Sequence, residues 1–349
     1  FLLLQPEAER EDLQLRIARH YERASEGFLA ALAFERAAEL SVQSGATGRA
    51  PRLLLRGLAC LSSEHLSTRL RLWQQVGRVL SLLGDLDAAL SAWENVVRLG
   101  FALASRKERA QAFLEMARIV AHDASRALGY IERAKELFTH LQDQVGISDA
   151  LDEEGQALVW LGKQSDGMDR LAQSLEMRRR LLDRKKVAQS LLHVGLVEYQ
   201  RGALDAAVSC YEEALRKSDD EPRLQAAAMT ALGSVDLARG DVAAARARLE
   251  EALPLCERAG PSKELVTLLC CLGDAMLRDG LLSEAESRLL QAKELALRLL
   301  DQRGQAESKR LLGLIQLRRG DKQKALDLCQ RALERAQQSG LRSLIASCL

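Results

Sequence analysis

Aromatic residues make up only 4% of the 349 residues, and prolines number five. A chain this poor in proline and rich in Ala, Leu, Glu and Arg is built from strong helix formers. Charge of one sign is equally scarce: 50 Lys and Arg stand against 49 Asp and Glu, a net of +1. That balance argues against a general polyanion-binding surface. No long apolar run occurs, the longest being Leu265 to Leu272, broken by Thr267. A membrane helix needs about 20 such residues. The apolar opening Phe1 to Leu4 is too short for a signal peptide and lacks basic flanks.

Chemistry-bearing patterns are missing too. Seven cysteines, at Cys60, Cys210, Cys256, Cys270, Cys271, Cys329 and Cys348, form no C-x-x-C pair and have no histidine at metal spacing. An odd, scattered set of thiols fits a reducing cytoplasm. There is no phosphate-binding loop, dinucleotide fingerprint or kinase signature. His20, His65, His122, His140 and His193 lie far apart. The pairs Glu153-Glu154, Glu212-Glu213 and Glu250-Glu251 point in different directions on a helix and read as solvated faces. No catalytic, cofactor-binding or metal-binding residue is expected, and the chain is read as a non-enzyme.

What the chain has is a repeat. Glycines recur at Gly77, Gly155, Gly195, Gly233, Gly273 and Gly313, each followed seven residues later by another, at Gly84, Gly162, Gly202, Gly240, Gly280 and Gly320. The first interval, 78 residues, is two periods with one degenerate repeat between them; the rest are 40, 38, 40 and 40. Five residues past the second glycine sits a small residue: Ala89, Gly167, Ala207, Ala245, Ala285 or Ala325. Four further on comes a large one, Trp93, Leu171, Tyr211, Leu249 or Leu289, with Cys329 the weakest fit. Three beyond, the residue is modest again: Val96, Ser174, Ala214, Ala252, Ala292 or Ala332.

A glycine inside a helix costs about 1 kcal/mol relative to alanine, so its return at one position demands a packing reason. Close approach of a first helix, A, to a second, B, supplies it. The second glycine falls where helix A must stop and positive φ is wanted, and in Gly84-Asp85, Gly240-Asp241 and Gly320-Asp321 the next residue can cap helix B. Helix, tight turn, helix is the repeat.

The apolar-glycine pairs Val76-Gly77, Val194-Gly195, Leu232-Gly233, Leu272-Gly273 and Leu312-Gly313, with the alanines and bulky residue downstream, resemble the tetratricopeptide repeat signature over about residues 66 to 340. The period is nearer 40 than 34 residues and the closing proline is mostly missing, so each helix should be about a turn longer. This long form is similar to the arrays found downstream of ATPase modules in bacterial signal-transduction ATPases, in LuxR- and MalT-like transcription regulators and in large serine/threonine kinases. The run Arg16 to Ala24 resembles the opening of such arrays. The resemblance implies an all-α, right-handed superhelical solenoid of antiparallel helix pairs.

Residues 1–65 read as an irregular helical lead-in, in which a helix near 29 to 43 serves two overlapping repeats. Residues 66–340 read as an array of about seven pairs, with 105–142 degenerate and its turn about two residues shorter. Residues 341–349 look like the start of a further, truncated helix, whose Leu341, Leu344 and Ile345 are expected to be incompletely covered. The basic stretch Arg178, Arg179, Arg180, Arg184, Lys185 and Lys186 reads as a solvated helix end and turn.

The expected role is a protein-interaction or sensor scaffold within a larger signalling protein whose ATPase, kinase or DNA-binding part lies outside this chain. The partner would be a protein or peptide, or a second copy through self-association; membrane and nucleic acid are not expected. An oligomerising spacer without a ligand, or a regulatory part of an enzyme, is the alternative. Counting three before, one after and four after each first glycine places Leu192, Leu196 and Tyr199, then Thr230, Ser234 and Leu237, then Cys270, Asp274 and Leu277 along one groove. The same leucines could instead pack between neighbouring A helices. The Lys/Asn pattern of a carboxylate-clamping array is absent at these positions.

Overall fold

The computed structural model describes residues 7–218, 221–299, 301–338 and 344–345, and among them are 17 α-helices and no strand. Three helices lead in: α1 (Glu7–Arg23), α2 (Gly27–Gln43) and α3 (Ala50–Cys60). Helices A and B then alternate as α4 (Leu66–Leu83) with α5 (Leu86–Ala102), α6 (Arg106–Ile119) with α7 (Ala124–His140), and α8 (Gln144–Trp160) with α9 (Gln164–Arg180). Four further pairs follow: α10 (Arg184–Gln200) with α11 (Leu204–Lys217), α12 (Pro222–Arg239) with α13 (Val242–Arg258), α14 (Lys263–Arg278) with α15 (Leu282–Arg298), and α16 (Gln302–Arg318) with α17 (Lys322–Gln338). The chain divides into two compact bodies, Phe1–Glu153 and Glu154–Leu349.

From α1 to α7 each helix of the first body packs on the next along the chain. Helix α2 serves two partners, α1 and α3, and buries Ala30, Ala31, Phe34 and Ala37 completely. The degenerate repeat, α6 with α7, has a shortened helix A of 14 residues and a turn without glycine, in which Asp123 caps α7 by accepting from the Arg126 N–H. In the second body successive A helices also touch, α10 with α12, α12 with α14 and α14 with α16. One apolar core therefore runs without interruption from Ala226 to Ile315.

Both glycine positions behave as their spacing implies. The first lies under the bulky residue of helix B: Trp93 over Gly77, Leu171 over Gly155, Leu249 over Gly233 and Leu289 over Gly273. Tyr211 does the same over Gly195, and Cys329 over Gly313. The second glycine takes a left-handed conformation in every copy, with φ between 78° at Gly84 and 88° at Gly320. Behind it Asp85, Asp241 and Asp321 accept from the N–H groups of Ala88, Ala244 and Lys324.

The turns from helix B to the next helix A solve the same problem differently. Three of them use a non-glycine residue at positive φ, Ala104, Gln142 and Leu182, at 52°, 54° and 58°, and Ser25, at 59°, does so between α1 and α2 of the lead-in. A side chain there costs about 1–2 kcal/mol relative to glycine. These turns were invisible to a search keyed on glycine.

Two expectations meet a different structure. Arg178 is buried, and its Nη1 donates to the Ser190 hydroxyl at 2.6 Å and to the Lys186 carbonyl. Its neighbours on that stretch are paired, Arg179 with Glu213, Arg180 with Glu176 and Lys185 with Glu221. Arg179, Arg180, Arg184 and Lys185 stay exposed, so the stretch is a solvated helix end and turn except at Arg178, and Arg179 and Lys185 also tie successive repeats together. Leu344 is only 7% exposed, because it packs with Ala306 and Ala336. Ile345 is partly buried in the same cluster, and Leu341 lies outside the described residues.

Candidate functional site

A helix advances about 100° per residue, so positions at −2, +1 and +5 from the first glycine share a stripe, while −3 and +4 lie about 80° round from it. Glycine itself points at helix B. The −3 and +4 stripe is turned toward neighbouring A helices, and the −2, +1 and +5 stripe faces the open inner side.

The nine residues expected to line a groove divide along this line. Thr230, Leu237, Cys270 and Leu277 are buried, Leu237, Cys270 and Leu277 within the core that joins α12 to α14 and Thr230 through a hydroxyl that donates to the Ala226 carbonyl at 2.7 Å. Leu196, at +1, is 36% exposed, and Ser234 and Asp274 at the same offset are half-buried. Leu192 is half-buried and packs on the α10–α11 core. Tyr199 is half-buried, being long enough to reach the inner face from the +4 stripe.

A cavity of about 800 Å³ opens on this side of the second body. Gln156, Val159 and Trp160 from α8, His193, Leu196, Tyr199 and Gln200 from α10, and Ala238 from α12 line it, with Arg303 of α16 and Leu344 also in the wall. Leu196 and Tyr199 are therefore brought together with Trp160, His193, Gln200, Arg303 and Leu344, none of which the spacing argument named. One signal in the sequence distinguishes the two stripes. At +4 most copies are apolar (Val159, Tyr199, Leu237, Leu277, Leu317), and Leu237 and Leu277 of these are buried, whereas +5 holds Trp160, Gln200, Ala238, Arg278 and Arg318, all exposed and with no shared chemistry.

Polar groups are fixed along the same face. Arg278 is forked onto Asp274 at 2.8 Å and its Nη1 donates to the Leu237 carbonyl at 2.8 Å, tying α14 to α12. The Ser234 hydroxyl and Cys271 thiol are 3.4 Å apart. Burial raises the Tyr199 phenol above its ordinary range, and the nearby Cys271 adds to this while Arg278 opposes it. The phenol is thus neutral and a hydrogen-bond donor at physiological pH. Arg303 is exposed and makes no hydrogen bond or ion pair among the described residues. The face pairs an aromatic and aliphatic floor with a few oriented polar groups, the usual composition of a ligand groove.

Among the described residues no three His, Cys, Asp or Glu side chains come together as metal ligands. No helix there is long and apolar enough to cross a membrane.

Comparison with known proteins agrees with this geometry. Residues 186–258 and 264–338 match the tetratricopeptide repeat family model. No curated protein matches the sequence. The structure is similar to that of the Rap conjugation gene regulator of plasmid pLS20 in complex with the Phr* peptide, with a TM-score of 0.67 at 14% identity over 95% of this chain and 96% of that one. It is also similar to a Rap protein complexed with competence and sporulation factor, with a TM-score of 0.60 at 12% identity over 91% and 95% of the two chains. A signal-transduction ATPase with a tetratricopeptide repeat sensor from Pyrococcus horikoshii aligns with a TM-score of 0.53 at 14% identity, over 98% of this chain and 55% of that one. At such identities the likeness is one of fold. With the paired glycines, the bulky residue seated over each first glycine and the matched family model, it makes residues 186–258 and 264–338 tetratricopeptide repeats, within a chain whose fold is that of a tetratricopeptide-like helical array.

Proposed function

We propose that residues 154–349 hold an extended peptide on the inner face of their A helices, and that the chain is the recognition module of a larger signalling protein working in the reducing cytoplasm. One observation carries the reading: the 800 Å³ cavity gathers Trp160, Leu196 and Tyr199 as apolar anchors, with His193, Gln200 and Arg303 around them. Arg303, without a carboxylate partner among the described residues, suits an acidic residue of the ligand beside an aromatic or aliphatic one. Two similar structures are complexes with Phr* and with competence and sporulation factor, which supports a peptide as the class of ligand.

Burial decides which residues should be mutated. Leu237 is buried in the core, so its loss would unfold the array as readily as empty the groove. Trp160 and Tyr199 are the better pair. Selection from a random displayed-peptide library on the purified chain should return sequences with apolar anchors and an acid. Their affinity should fall at least tenfold in Trp160→Ala with Tyr199→Ala and stay unchanged in Leu290→Ala, an exposed leucine on helix B of another repeat. No selected peptide, or peptides sensitive to Leu290 and indifferent to Trp160 and Tyr199, would overturn the assignment.

A further inference from the structure

The degenerate repeat of the first body carries a second cavity, unrelated to the inner face of the other body. It is a cleft of about 700 Å³ between the B helices α5 and α7, floored by α6. Its chemistry is set by arginines laid on aromatic rings. The Arg109 guanidinium stands 3.9 Å from the Phe101 ring centroid, and that of Arg133 stands 5.7 Å from Phe113. Phe113 in turn stacks on Tyr130, with centroids 6.3 Å apart.

Arg109 is held there by the backbone. Its aliphatic stem lies across Gly100, where a Cβ would stand 2.6 Å from the Arg109 Cγ. Eight residues before the first glycine, or before Ala117 which replaces it in α6, two other repeats place a side chain that hydrogen-bonds to the preceding helix. Arg69 donates to the Leu61 carbonyl and Gln305 to the Ala296 carbonyl, both closing the preceding helix. Arg109 does not follow them. It makes no hydrogen bond or ion pair among the described residues, and its Nε is buried without a partner. Arg133 likewise has no carboxylate among the described residues.

The charged groups facing the cleft are Arg98, Arg109 and Arg133 against Glu94 and Glu136. Arg98 donates to Asn95, Glu136 lies 3.9 Å from His140 and Glu94 lies near Arg126, and among the described residues neither carboxylate forms an ion pair with Arg109 or Arg133. Phe101, meanwhile, leaves 61% of its surface bare. A guanidinium stacked on a ring still presents its N–H edge, the geometry that grips carboxylate or phosphate in two parallel hydrogen bonds. The volume falls in the range of small-molecule sites, about 300–1,000 Å³.

We propose that this cleft binds a small anion, a carboxylate or a phosphate, carried on a flat aromatic body. The anion would sit on the Arg109 and Arg133 edges, and the ring would lie against Phe101 and Phe113.

The test is calorimetric titration of the whole chain with phenyl phosphate and benzoate, beside inorganic phosphate and benzyl alcohol, which carry the anion alone and the ring alone. At least one of the first two should bind saturably, at least tenfold more tightly than either fragment, and more weakly at raised salt. Which of them binds tells phosphate from carboxylate. Arg133→Gln, on an exposed side chain, and Arg109→Met, which keeps the stem over Gly100, should each weaken binding at least fivefold. A melting temperature unchanged in Arg133→Gln secures that variant if Arg109→Met loosens the fold. No binding by either aromatic anion, equal binding by the fragments, or full affinity in Arg133→Gln would overturn the proposal.

Discussion

Trp93 lies across the bare Cα of Gly77, so that a methyl group there would stand 2.7 Å from the indole Cε2 and Nε1. The same arrangement recurs wherever the first glycine faces helix B, and it sets two opposing effects against each other. Alanine gains about 1 kcal/mol in helix propensity over glycine. Overpacking a close-fitted contact costs about 1–3 kcal/mol. Packing should win at Gly233 and Gly273, where leucine atoms lie within 2.6–2.9 Å of the added carbon. Gly233→Ala and Gly273→Ala should lower the unfolding free energy, while Gly129→Ala, which meets nothing within 4 Å on α7, should raise it by up to about 1 kcal/mol. Urea unfolding of the three variants checks this, and gains at all three sites would disprove the packing argument.

Ala252 and Ala292 are wholly buried in the contact of helix B with its neighbours. Ala252→Arg forces a charge without a partner into that core, at a cost of several kcal/mol. A melting temperature equal to that of the wild type would show the register to be wrong.

Leu182 offers the reverse experiment. It holds φ at 58° in the turn from α9 to α10 with 85% of its surface exposed, so its side chain contributes strain and little packing. Leu182→Gly should stabilise the chain by about 1 kcal/mol. Gly240→Ala, at φ 85° after α12, should destabilise it by a similar amount. Thermal melts of the pair should move in opposite directions; movement in the same direction would remove the backbone explanation.

Burial pushes the Cys256 and Cys271 thiols up to about 11, and Cys270 well above its ordinary value. The folded state therefore favours the neutral thiols, while in the unfolded chain they ionise near the usual 8.5. Their contribution is fully present below about pH 8.5 and is lost as pH rises toward 11. Urea stability should decline over that window, less steeply in Cys271→Ala. These thiols should also resist alkylation at pH 7.5 until the chain is unfolded. Identical slopes for wild type and variant, or rapid native labelling, would contradict the assignment.

How far the sequence discloses the molecule can be read at single positions. Gly77 with Trp93 and Gly84 with Asp85 were legible because each imposes a local requirement, close approach or positive φ, that few residues meet. The turns at Ser25, Ala104, Gln142 and Leu182 were not, since tertiary packing holds ordinary residues in that conformation. The inner face was half legible. Of the residues assigned to the groove, Leu196 and Tyr199 line the cavity while Leu237 and Leu277 lie in the core, because an apolar residue near a helix face looks alike whether it awaits a ligand or a neighbouring helix. Arg303 and Leu344 lie far along the chain from Trp160, and nothing local announces that they share its cavity. The cleft around Arg109 was hidden for a related reason: its character comes from a partner the arginine lacks, and sequence shows only the arginine.

The succession of helices packed each on the next has a consequence for how the molecule comes into being. Within each body most tertiary contacts join helices consecutive along the chain. Such short-range topology closes only small loops, so it folds quickly and without waiting for the far end. A nascent chain leaving the ribosome can therefore dock each helix pair onto the one before as soon as about 40 residues have emerged, at some 5–20 residues per second. The growing end would always present the apolar face meant for the next pair. Through translation, the exposed surface at risk of aggregation stays the size of a single repeat.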